Sequence, residues 1–269
     1  MRTTALACGL LVLALAGPAA EGAAAQAGSL RAMTWNIESA RTYESGWANV
    51  IGNQKPDVAA LQEVCHLGSN KTTKIIGEVK QRFGIDYQPV YGLVPDAGVF
   101  GCTQFGNVLL VKKGIAIAQK GMVVYGSQFA SGDGTKRSYA WANLRTPKGL
   151  VTVSATHLQN GLSGGDAGPS LKARQAQAAQ LAQGTGRGAA RQIVMGDFNA
   201  GVNGPELKAF RAQKFADVDA ACWAGKKCTA TQDSGAKIDY ILHRGFKAGG
   251  FAVHGSPSSD HNVVVANLG

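Results

Sequence analysis

Charged side chains are scarce in this chain of 269 residues: they make up 16%, and Asp plus Glu number only 17 against 27 Lys plus Arg. Hydrophobic residues nonetheless reach 45%, which excludes a disordered acidic or basic tail, because such chains are poor in apolar residues. The 36 glycines follow no G-X-Y period, which excludes a collagen. Beyond the first residues, no apolar run reaches the roughly 18 residues of a membrane helix. The composition therefore predicts a loop-rich globular protein.

The first 27 residues have the pattern of a secretory signal peptide. Arg2 supplies a positive charge, and the apolar run at residues 5–17 is too short to cross a bilayer as a helix. Ala25-Gln26-Ala27 matches the A-x-A pattern of a cleavage site, and cleavage nearer Ala20 is the alternative. We therefore expect a secreted, extracellular protein with a single domain over residues 28–269, no stable membrane anchor and a monomeric state.

Four cysteines remain after the predicted signal peptide: Cys65, Cys102, Cys222 and Cys228. An even number of cysteines in an oxidising compartment indicates disulfides, and four cysteines allow three connectivities. Cys222 and Cys228 are close enough in sequence for a local bridge, which leaves Cys65 to pair with Cys102. A zinc site is the competing interpretation, but Cys-x5-Cys does not have the usual spacing of zinc ligands.

Nine segments rich in Val, Ile and aromatic residues, most of them ending in polar or Gly-rich turns, predict strands. They cover residues 30–37, 58–63, 107–111, 121–125, 139–145, 151–157, 192–197, 237–242 and 262–268. Helical patterns lie at residues 45–53, 72–83, 171–183 and 206–213. Many strands with few helices predict two β-sheets packed face to face, with the helices outside them.

Polar side chains stand at or near the ends of several predicted strands, where a side chain can leave the core and line a cleft. Carboxylates and an amide suit Mg²⁺, which prefers oxygen ligands, and histidines beside carboxylates suit proton transfer near neutral pH. Together they form a constellation typical of phosphoester cleavage. The residues are Asn36, Glu63, His157, Asp197, Asn199, Asp239, Asp260 and His261.

In this order, the motifs resemble those of the endonuclease/exonuclease/phosphatase superfamily, the deoxyribonuclease I-like phosphoesterases. The matching stretches are TWNI at 34–37, LQE at 61–63, GNVLLVKK at 106–113, THL at 156–158, GDFN at 196–199, IDYIL at 238–242 and SDH at 259–261. The resemblance covers residues 30–268 and makes residues 28–269 a single catalytic domain. It implies an α/β (α+β) fold: a four-layer sandwich of two packed mixed β-sheets flanked by helices.

The resemblance also implies roles for the carboxylates and amides. Glu63 would bind a divalent metal, with Asn36 and Asp260 close by; we expect Mg²⁺, with Mn²⁺ or Ca²⁺ as alternatives. Asp197 and Asn199 would orient the attacking water and the phosphate oxygens.

The two histidines would transfer protons or bind phosphate oxygens. His261 would act as general base or hold the scissile phosphate, with Asp239 as its carboxylate partner. His157 would contact the phosphate or protonate the leaving group. Arg137 falls where relatives place a basic residue that binds phosphate.

The sequence departs from deoxyribonuclease I at two places. The basic residue that follows the metal-binding Glu in that enzyme is replaced here by Cys65-His66. The Glu beside its equivalent of His157 is also absent, and Asn107 is the polar residue at that place, as a phosphate contact or a strand cap. Both departures disfavour efficient minor-groove endonuclease action and leave the hydrolytic core intact.

A formal net charge of +10 favours a polyanionic substrate, because basic proteins release counterions from nucleic acid on binding. We therefore expect a secreted nuclease that acts on DNA or RNA. A phospholipid phosphodiesterase or phosphatase, similar to a sphingomyelinase, is the alternative, with residues 121–125 and Phe129 as its membrane-docking hairpin. A catalytically inactive polyanion-binding module is a third hypothesis, and the complete set of histidines and carboxylates argues against it.

Overall fold

The computed structural model describes residues 29–38, 44–66, 70–95, 101–129, 136–161, 168–184 and 189–269. The predicted signal peptide at residues 1–27 lies outside these ranges. Within them the chain forms twelve strands: β1 (Leu30–Asn36), β2 (Val58–His66), β3 (Tyr87–Pro95), β4 (Gln104–Lys112), β5 (Ala116–Val124), β6 (Ser138–Thr146), β7 (Gly149–His157), β8 (Arg191–Asp197), β9 (Ala216–Asp217), β10 (Asp239–Arg244), β11 (Ala248–His254) and β12 (Val263–Leu268). The α-helices are α1 (Glu44–Gln54), α2 (Lys71–Phe83), α3 (Pro169–Gly184), α4 (Lys208–Ala212) and α5 (Ala220–Trp223), with a 3₁₀ turn at Pro205–Leu207.

The strands form two six-stranded sheets. The first has the order β11-β12-β1-β2-β4-β3, and the second has the order β5-β6-β7-β8-β10-β9. The central pair of each sheet, β1 with β2 and β7 with β8, is parallel, and the remaining neighbours are antiparallel. Both sheets are therefore mixed, with a parallel pair at the centre.

Alternating side chains divide the core into layers, as the period of two along a strand requires. In β1, Leu30 and Ala32 pack between the two sheets, whereas Met33 and Trp35 pack with residues of α1 and α2 on the outer face. Helices α3 and α4 cover the outer face of the second sheet, where Leu181 and Phe210 pack with residues of β8 and β10. The expected four-layer sandwich of helices, sheet, sheet and helices is confirmed.

Each of the nine predicted strands corresponds to an observed strand, although the boundaries differ by several residues in places. The helical pattern at residues 206–213 is split into the 3₁₀ turn and α4. The sequence reading missed β3, β9, β11 and the short α5. The three missed strands are edge strands. Pro89 and Pro95 in β3 and two glycines in β11 weaken the strand pattern there, and edge positions tolerate such residues.

Two disulfides join the cysteines in the pairing favoured by their spacing. Cys65 bonds to Cys102 with a Cα–Cα distance of 5.4 Å, and Cys222 bonds to Cys228 with a Cα–Cα distance of 4.3 Å. The first bridge is buried with Phe105 and ties the end of β2 to the segment before β4. None of the described helices is long and apolar enough to span a bilayer.

Candidate active site

The polar side chains at the strand ends meet at one edge of the sandwich. Asn36 ends β1 of the first sheet, and His157 ends β7 of the second sheet, whose parallel neighbour β8 ends at the same edge. Asp197 ends β8 and pairs in register with both His157 and Asp239, the first residue of the antiparallel β10. A bond of 3.3 Å from Asn36 Nδ2 to Asp197 Oδ2 joins the two sheets at this edge.

Asp197 lies at the centre of the group and is 1% exposed. Its Oδ2 is 3.3 Å from His157 Nε2 and 3.7 Å from His261 Nε2, so one carboxylate oxygen faces both rings. Its Oδ1 accepts a hydrogen bond of 2.8 Å from the backbone N–H of Asn199. The Asn199 side chain lies 3.0 Å from His157 Nε2 and donates to the carbonyl of Leu158. Asp197, Asn199 and both histidines therefore form one connected network.

Local backbone geometry explains the GDFN motif. A side chain at Gly196 would collide with the carbonyl oxygen of Thr156 on β7, so the close approach of β7 and β8 requires glycine immediately before Asp197. Asn199 has φ +48°, a left-handed conformation that Asn tolerates better than most residues. The turn between Asp197 and Asn199 thereby directs both side chains to the same edge.

His261 is fixed by the buried carboxylate of Asp239. His261 Nδ1 lies 3.0 Å from Asp239 Oδ2 and 3.1 Å from Oδ1. Thr231 Oγ1 donates to Asp239 Oδ2 at 2.8 Å and accepts from the backbone N–H groups of Ile238 and Asp239. This arrangement leaves His261 Nε2 directed toward Asp197.

Glu63 occupies a break in the pairing of β2 with β4. The register shifts between Leu61 and Val64, and Glu63 has φ +55°. Such a conformation is uncommon for a residue other than glycine and is found where the surroundings enforce it, often at functional sites. Asn36 Nδ2 donates to Glu63 Oε1 at 3.1 Å, so the bulge brings this carboxylate beside β1.

The donor set at this edge fits a hard divalent cation. Ligand atoms of Asp197, Asp239 and His261 all lie within 4.8 Å of one another. Asn36 contacts both Asp197 and Glu63 and so links this group to a further carboxylate. Carboxylate and amide oxygens are the ligands that Mg²⁺ and Ca²⁺ prefer.

Asp260, the third residue of the predicted metal set, lies at the rim of this edge. Its side chain is 50% exposed, and its Oδ1 is 3.7 Å from His261 Nε2. Its Oδ2 accepts from Gln232 at 3.4 Å, and its backbone N–H donates to Glu38. Among the predicted metal residues, Asn36 and Glu63 are therefore in direct contact, whereas Asp260 is linked to the group through His261.

Arg137 approaches His157 from the side opposite Asp197. Its Nη1 lies 3.0 Å from His157 Nδ1, and because a guanidinium can only donate, Nδ1 is the acceptor. Gln128 holds the backbone of Arg137 from both sides, accepting from its N–H and donating to its carbonyl. Arg137, which is 6% exposed, is therefore a buried cation in direct contact with the His157 ring.

Asn107 lies next to this arginine in the other sheet. Its Nδ2 donates to the carbonyl of Ser138 at 2.8 Å, and Ser138 donates to the carbonyl of Gly92. Asn107 is 1% exposed, and its Oδ1 has no hydrogen-bond partner among the described residues. The amide therefore serves at least to tie β4 to the residue after Arg137.

Burial and neighbouring charges separate the pKa values of the three central groups. Burial, followed by the charge of Asp239, raises the pKa of Asp197 to about 7, against the opposing charge of His261. Burial alone would lower the pKa of His261, but the charge of Asp239 and its hydrogen bond outweigh burial and raise it to about 10. Burial, then the charges of Arg137 and His261, hold the pKa of His157 well below its usual range. One neutral ring and one charged ring therefore flank the same carboxylate at neutral pH.

Sequence reasoning missed the residues that hold this group in place. Thr231 lies in a segment without strand or helix pattern, and nothing in the sequence points to it. Ser259 belongs to the SDH motif, and its hydroxyl donates to the carbonyl of Asn36 and accepts from the N–H of His261. Gln128 is also outside every motif. Their positions depend on contacts between segments that are distant in sequence.

Comparison with known proteins agrees with this geometry. A model of the Endonuclease/Exonuclease/phosphatase family matches residues 33–261, most of the chain. No curated protein matches the chain in sequence. Solved structures share the fold at low identity. The human Nocturnin catalytic domain with bound sulfate anion has a TM-score of 0.70 at 19% identity, with 90% of this chain and 94% of that chain covered.

Two further structures share the fold with somewhat lower TM-scores. An endonuclease/exonuclease/phosphatase from Beutenbergia cavernae DSM 12333 has a TM-score of 0.66 at 21% identity and covers 90% of this chain and 71% of its own. Truncated Caenorhabditis elegans TDP2 has a TM-score of 0.64 at 17% identity and covers 89% of this chain and 97% of its own. At these identities the likeness shows a shared fold.

Proposed function

This chain belongs to the endonuclease/exonuclease/phosphatase family, and we propose that it is a secreted, divalent-metal-dependent phosphodiesterase that hydrolyses nucleic acid. The observation that carries the proposal is the shared carboxylate of Asp197, whose Oδ2 lies 3.3 Å from His157 Nε2 and 3.7 Å from His261 Nε2. Hydrolysis of a phosphodiester needs a group that accepts the proton of water and donors that neutralise growing charge on the phosphoryl oxygens. This edge of the sandwich contains both.

The geometry supports different catalytic roles for the central residues. Asn199 holds Oδ1 of Asp197 through its backbone N–H, so Oδ2 is the oxygen directed at the rings and suited to orient and deprotonate water. His261, held by Asp239, presents Nε2 on the same side and would donate to a phosphoryl oxygen. Fixed donors at such positions lower the barrier because they need no reorganisation during the reaction.

A second set of donors would hold the phosphate from the other side. Arg137 fixes His157 through Nδ1 at 3.0 Å, and the guanidinium adds a positive charge beside the ring. We assign His157 and Arg137 to the non-bridging oxygens or the leaving oxygen, with Asn107 anchoring the strand beside them.

Asn36, Glu63 and Asp260 would hold the metal, next to Asp197 and His261. When bound, a divalent cation neutralises charge on the phosphate oxygens. Mg²⁺ is the cation we propose, because carboxylate and amide oxygens make up most of the donors.

The net charge of +10 supports a polyanionic substrate, since basic proteins attract nucleic acid over long range. Both disulfides and the signal-peptide pattern support secretion, because disulfides persist in oxidising compartments. In the docking segment of the phospholipid alternative, the described residues with large exposed apolar side chains are Met122 and Val124 of β5, which are 39% and 43% exposed. Two apolar side chains form a small surface for membrane docking.

Cleavage of supercoiled plasmid tests this proposal. The mature protein is mixed with plasmid at low salt with Mg²⁺, alone or with EDTA, and compared with the variant Asp197→Asn. Asp86→Asn is the matched control, because Asp86 pairs with Lys80 and Lys113 at the surface, outside the site. We expect nicking that requires both Mg²⁺ and Asp197 and is unchanged in the control. Intact plasmid together with sphingomyelin hydrolysis would overturn the nuclease proposal in favour of the phospholipid alternative.

A further inference from the structure

A pocket of about 250 Å³ lies at the corner where β2, β3 and β4 of the first sheet meet β5 of the second. We call it the corner pocket. Both sheets contribute to it, and so does the N-cap residue of α2. Its lining residues are His66, Asn70, Tyr91, Leu93, Gln104 and Met122.

Strand register places the corner pocket close to the catalytic group. His66 follows Glu63 by three residues on β2, which corresponds to about 10 Å at ~3.3 Å per residue. His66 pairs in register with Gln104 of β4, and Gln104 precedes Asn107 by three residues on that strand. A phosphodiester bound in the catalytic group, beside Glu63 and Asn107, would therefore have its neighbouring sugar and base within reach of the pocket.

Hydrogen bonds orient the two aromatic rings of the pocket in advance. His66 Nε2 lies 3.1 Å from Thr72 Oγ1, and the Gln104 side chain makes a further hydrogen bond with the ring. Tyr91 accepts from Asn70 Nδ2 at 3.2 Å through its hydroxyl oxygen. The two rings meet edge to face, with centroids 6.0 Å apart and planes at 77°. An incoming ring would thus meet surfaces that need little reordering on binding.

The lining chemistry indicates what fits. The six side chains include no carboxylate, Lys or Arg, so neither a cation nor a phosphate is the matching occupant. Two aromatic rings and the thioether of Met122 suit a flat unsaturated ring, and the amides of Asn70 and Gln104 suit a polar ring edge. A lipid chain would find these amides unfavourable. The volume is below the ~300–1,000 Å³ of a complete small-molecule site, which indicates room for one part of a larger substrate.

From this placement we propose that the corner pocket is a subsite for one nucleobase of the substrate strand, next to the phosphodiester that is cleaved. The inference rests on the proposed nuclease function. A base can enter a pocket and stack on side chains only when it is unpaired, so the enzyme acts on single-stranded nucleic acid in preference to duplex. Lys71 lies close enough to His66 for its charge to lower the pKa of that ring, so it would contact the phosphate next to the bound base.

Cleavage of a series of oligonucleotides by the wild-type protein with Mg²⁺ tests the proposal. Single-stranded oligonucleotides, each with one abasic nucleotide at a different position around the cleavage site, are compared with the intact strand and with its duplex. Tyr91→Ala and Met122→Glu alter the pocket. Leu150→Glu is the matched control for Met122→Glu, because Leu150 is also apolar, 41% exposed and on a strand, but lies at the opposite end of β7 from His157.

We expect the intact single strand to be cleaved faster than the duplex, and both pocket variants to raise KM for it by about five- to tenfold, the loss typical of one base–aromatic stack. For the wild type, a missing base at one position of the strand should raise KM by the same factor. For the pocket variants, the same missing base should raise KM no further, because the base and the pocket side chain act as one pair. Leu150→Glu should match the wild type.

The possible failures are distinguishable. Equal cleavage of duplex and single strand, or abasic losses that add in full to those of both pocket variants, would overturn the subsite and leave the nuclease function standing. A wild-type protein that cleaves none of the oligonucleotides would overturn both the function and the subsite.

Discussion

His261 Nδ1 lies 3.0 Å from Asp239 Oδ2, across a sequence separation of 22 residues. Both side chains are buried at the edge where β10 begins, and the same carboxylate oxygen also accepts from Thr231. The carboxylate fixes the orientation of the ring, and the threonine fixes the orientation of the carboxylate. Thr231, to which we assign no substrate contact, thereby controls the direction of His261 Nε2.

Replacing Thr231 therefore tests whether positioning matters. Thr231→Val keeps the shape but removes a buried hydroxyl with three hydrogen bonds, whereas Thr231→Ser retains them. We expect the valine variant to lose about tenfold or more in kcat with little change in KM, in line with ~1–3 kcal/mol for an unsatisfied buried group. The serine variant should recover most of the activity. Equal activity of the valine and wild-type proteins would contradict the positioning role.

The charge of Asp197 is predicted to cost stability while supporting activity. The pKa of Asp197 is about 7, above the ordinary value of 3.8. The protonated carboxyl therefore stabilises the fold fully below pH 3.8, and this stabilisation is lost as the pH rises through 7. Asp197→Asn removes the charge without changing the shape. We expect activity to fall by several orders of magnitude and the unfolding free energy to rise by on the order of 2 kcal/mol at about pH 8.

Denaturant unfolding of both proteins in EDTA measures this difference. The gain in stability should shrink toward about pH 4, where the wild-type carboxyl is protonated as well. A variant that is less stable than the wild type at every pH would show that the carboxylate is needed structurally.

His243 provides a separate source of acid sensitivity in the fold. Burial lowers its pKa below the ordinary 6.5, so the neutral ring contributes stability that is complete above pH 6.5 and is lost as the pH falls through the folded-state value. His243→Met keeps a side chain of similar bulk that cannot titrate. Between about pH 7.5 and about pH 5 we expect the wild type to lose more unfolding free energy than the variant, by up to about 1.4 kcal/mol per pH unit. Parallel pH dependences in the two proteins would argue against a neutral buried ring.

The Cys65–Cys102 disulfide is expected to support Glu63 as well as the fold. Cys65 follows Glu63 by two residues and ties the strand after the bulge to the segment before β4. The double variant Cys65→Ala/Cys102→Ala should bind Mg²⁺ several-fold more weakly in titration calorimetry, in addition to losing ~2–4 kcal/mol of stability. The double variant Cys222→Ala/Cys228→Ala is the control and should retain the Mg²⁺ affinity. Equal metal affinity in both variants would limit the first bridge to a structural role.

The candidate site could be predicted to a large extent because its residues stand beside strong strand patterns. Asn36, His157 and Asp197 each end a largely buried strand whose Val, Ile, Met and aromatic residues gave a strand pattern in the sequence. Thr231 gave no such signal, since a hydroxyl that orients a carboxylate can come from any segment that passes close by. The strands β3, β9 and β11 were missed for a related reason, because edge strands tolerate Pro, Gly and exposed residues that weaken the pattern.

The resemblance of the motifs to the family implied the four-layer sandwich. The sequence by itself determined the two packed sheets with helices outside them, the preferred cysteine pairing and the set of polar residues at the strand ends. Local patterns suffice for these features, because alternation, turn chemistry and short motifs are properties of neighbouring residues. Only the tertiary structure decided that one oxygen of Asp197 faces both histidines, that Arg137 donates to His157 Nδ1, and that His66 and Tyr91 line one pocket. These relations join residues from different strands and from both sheets, and their distances depend on the packing of the whole sandwich.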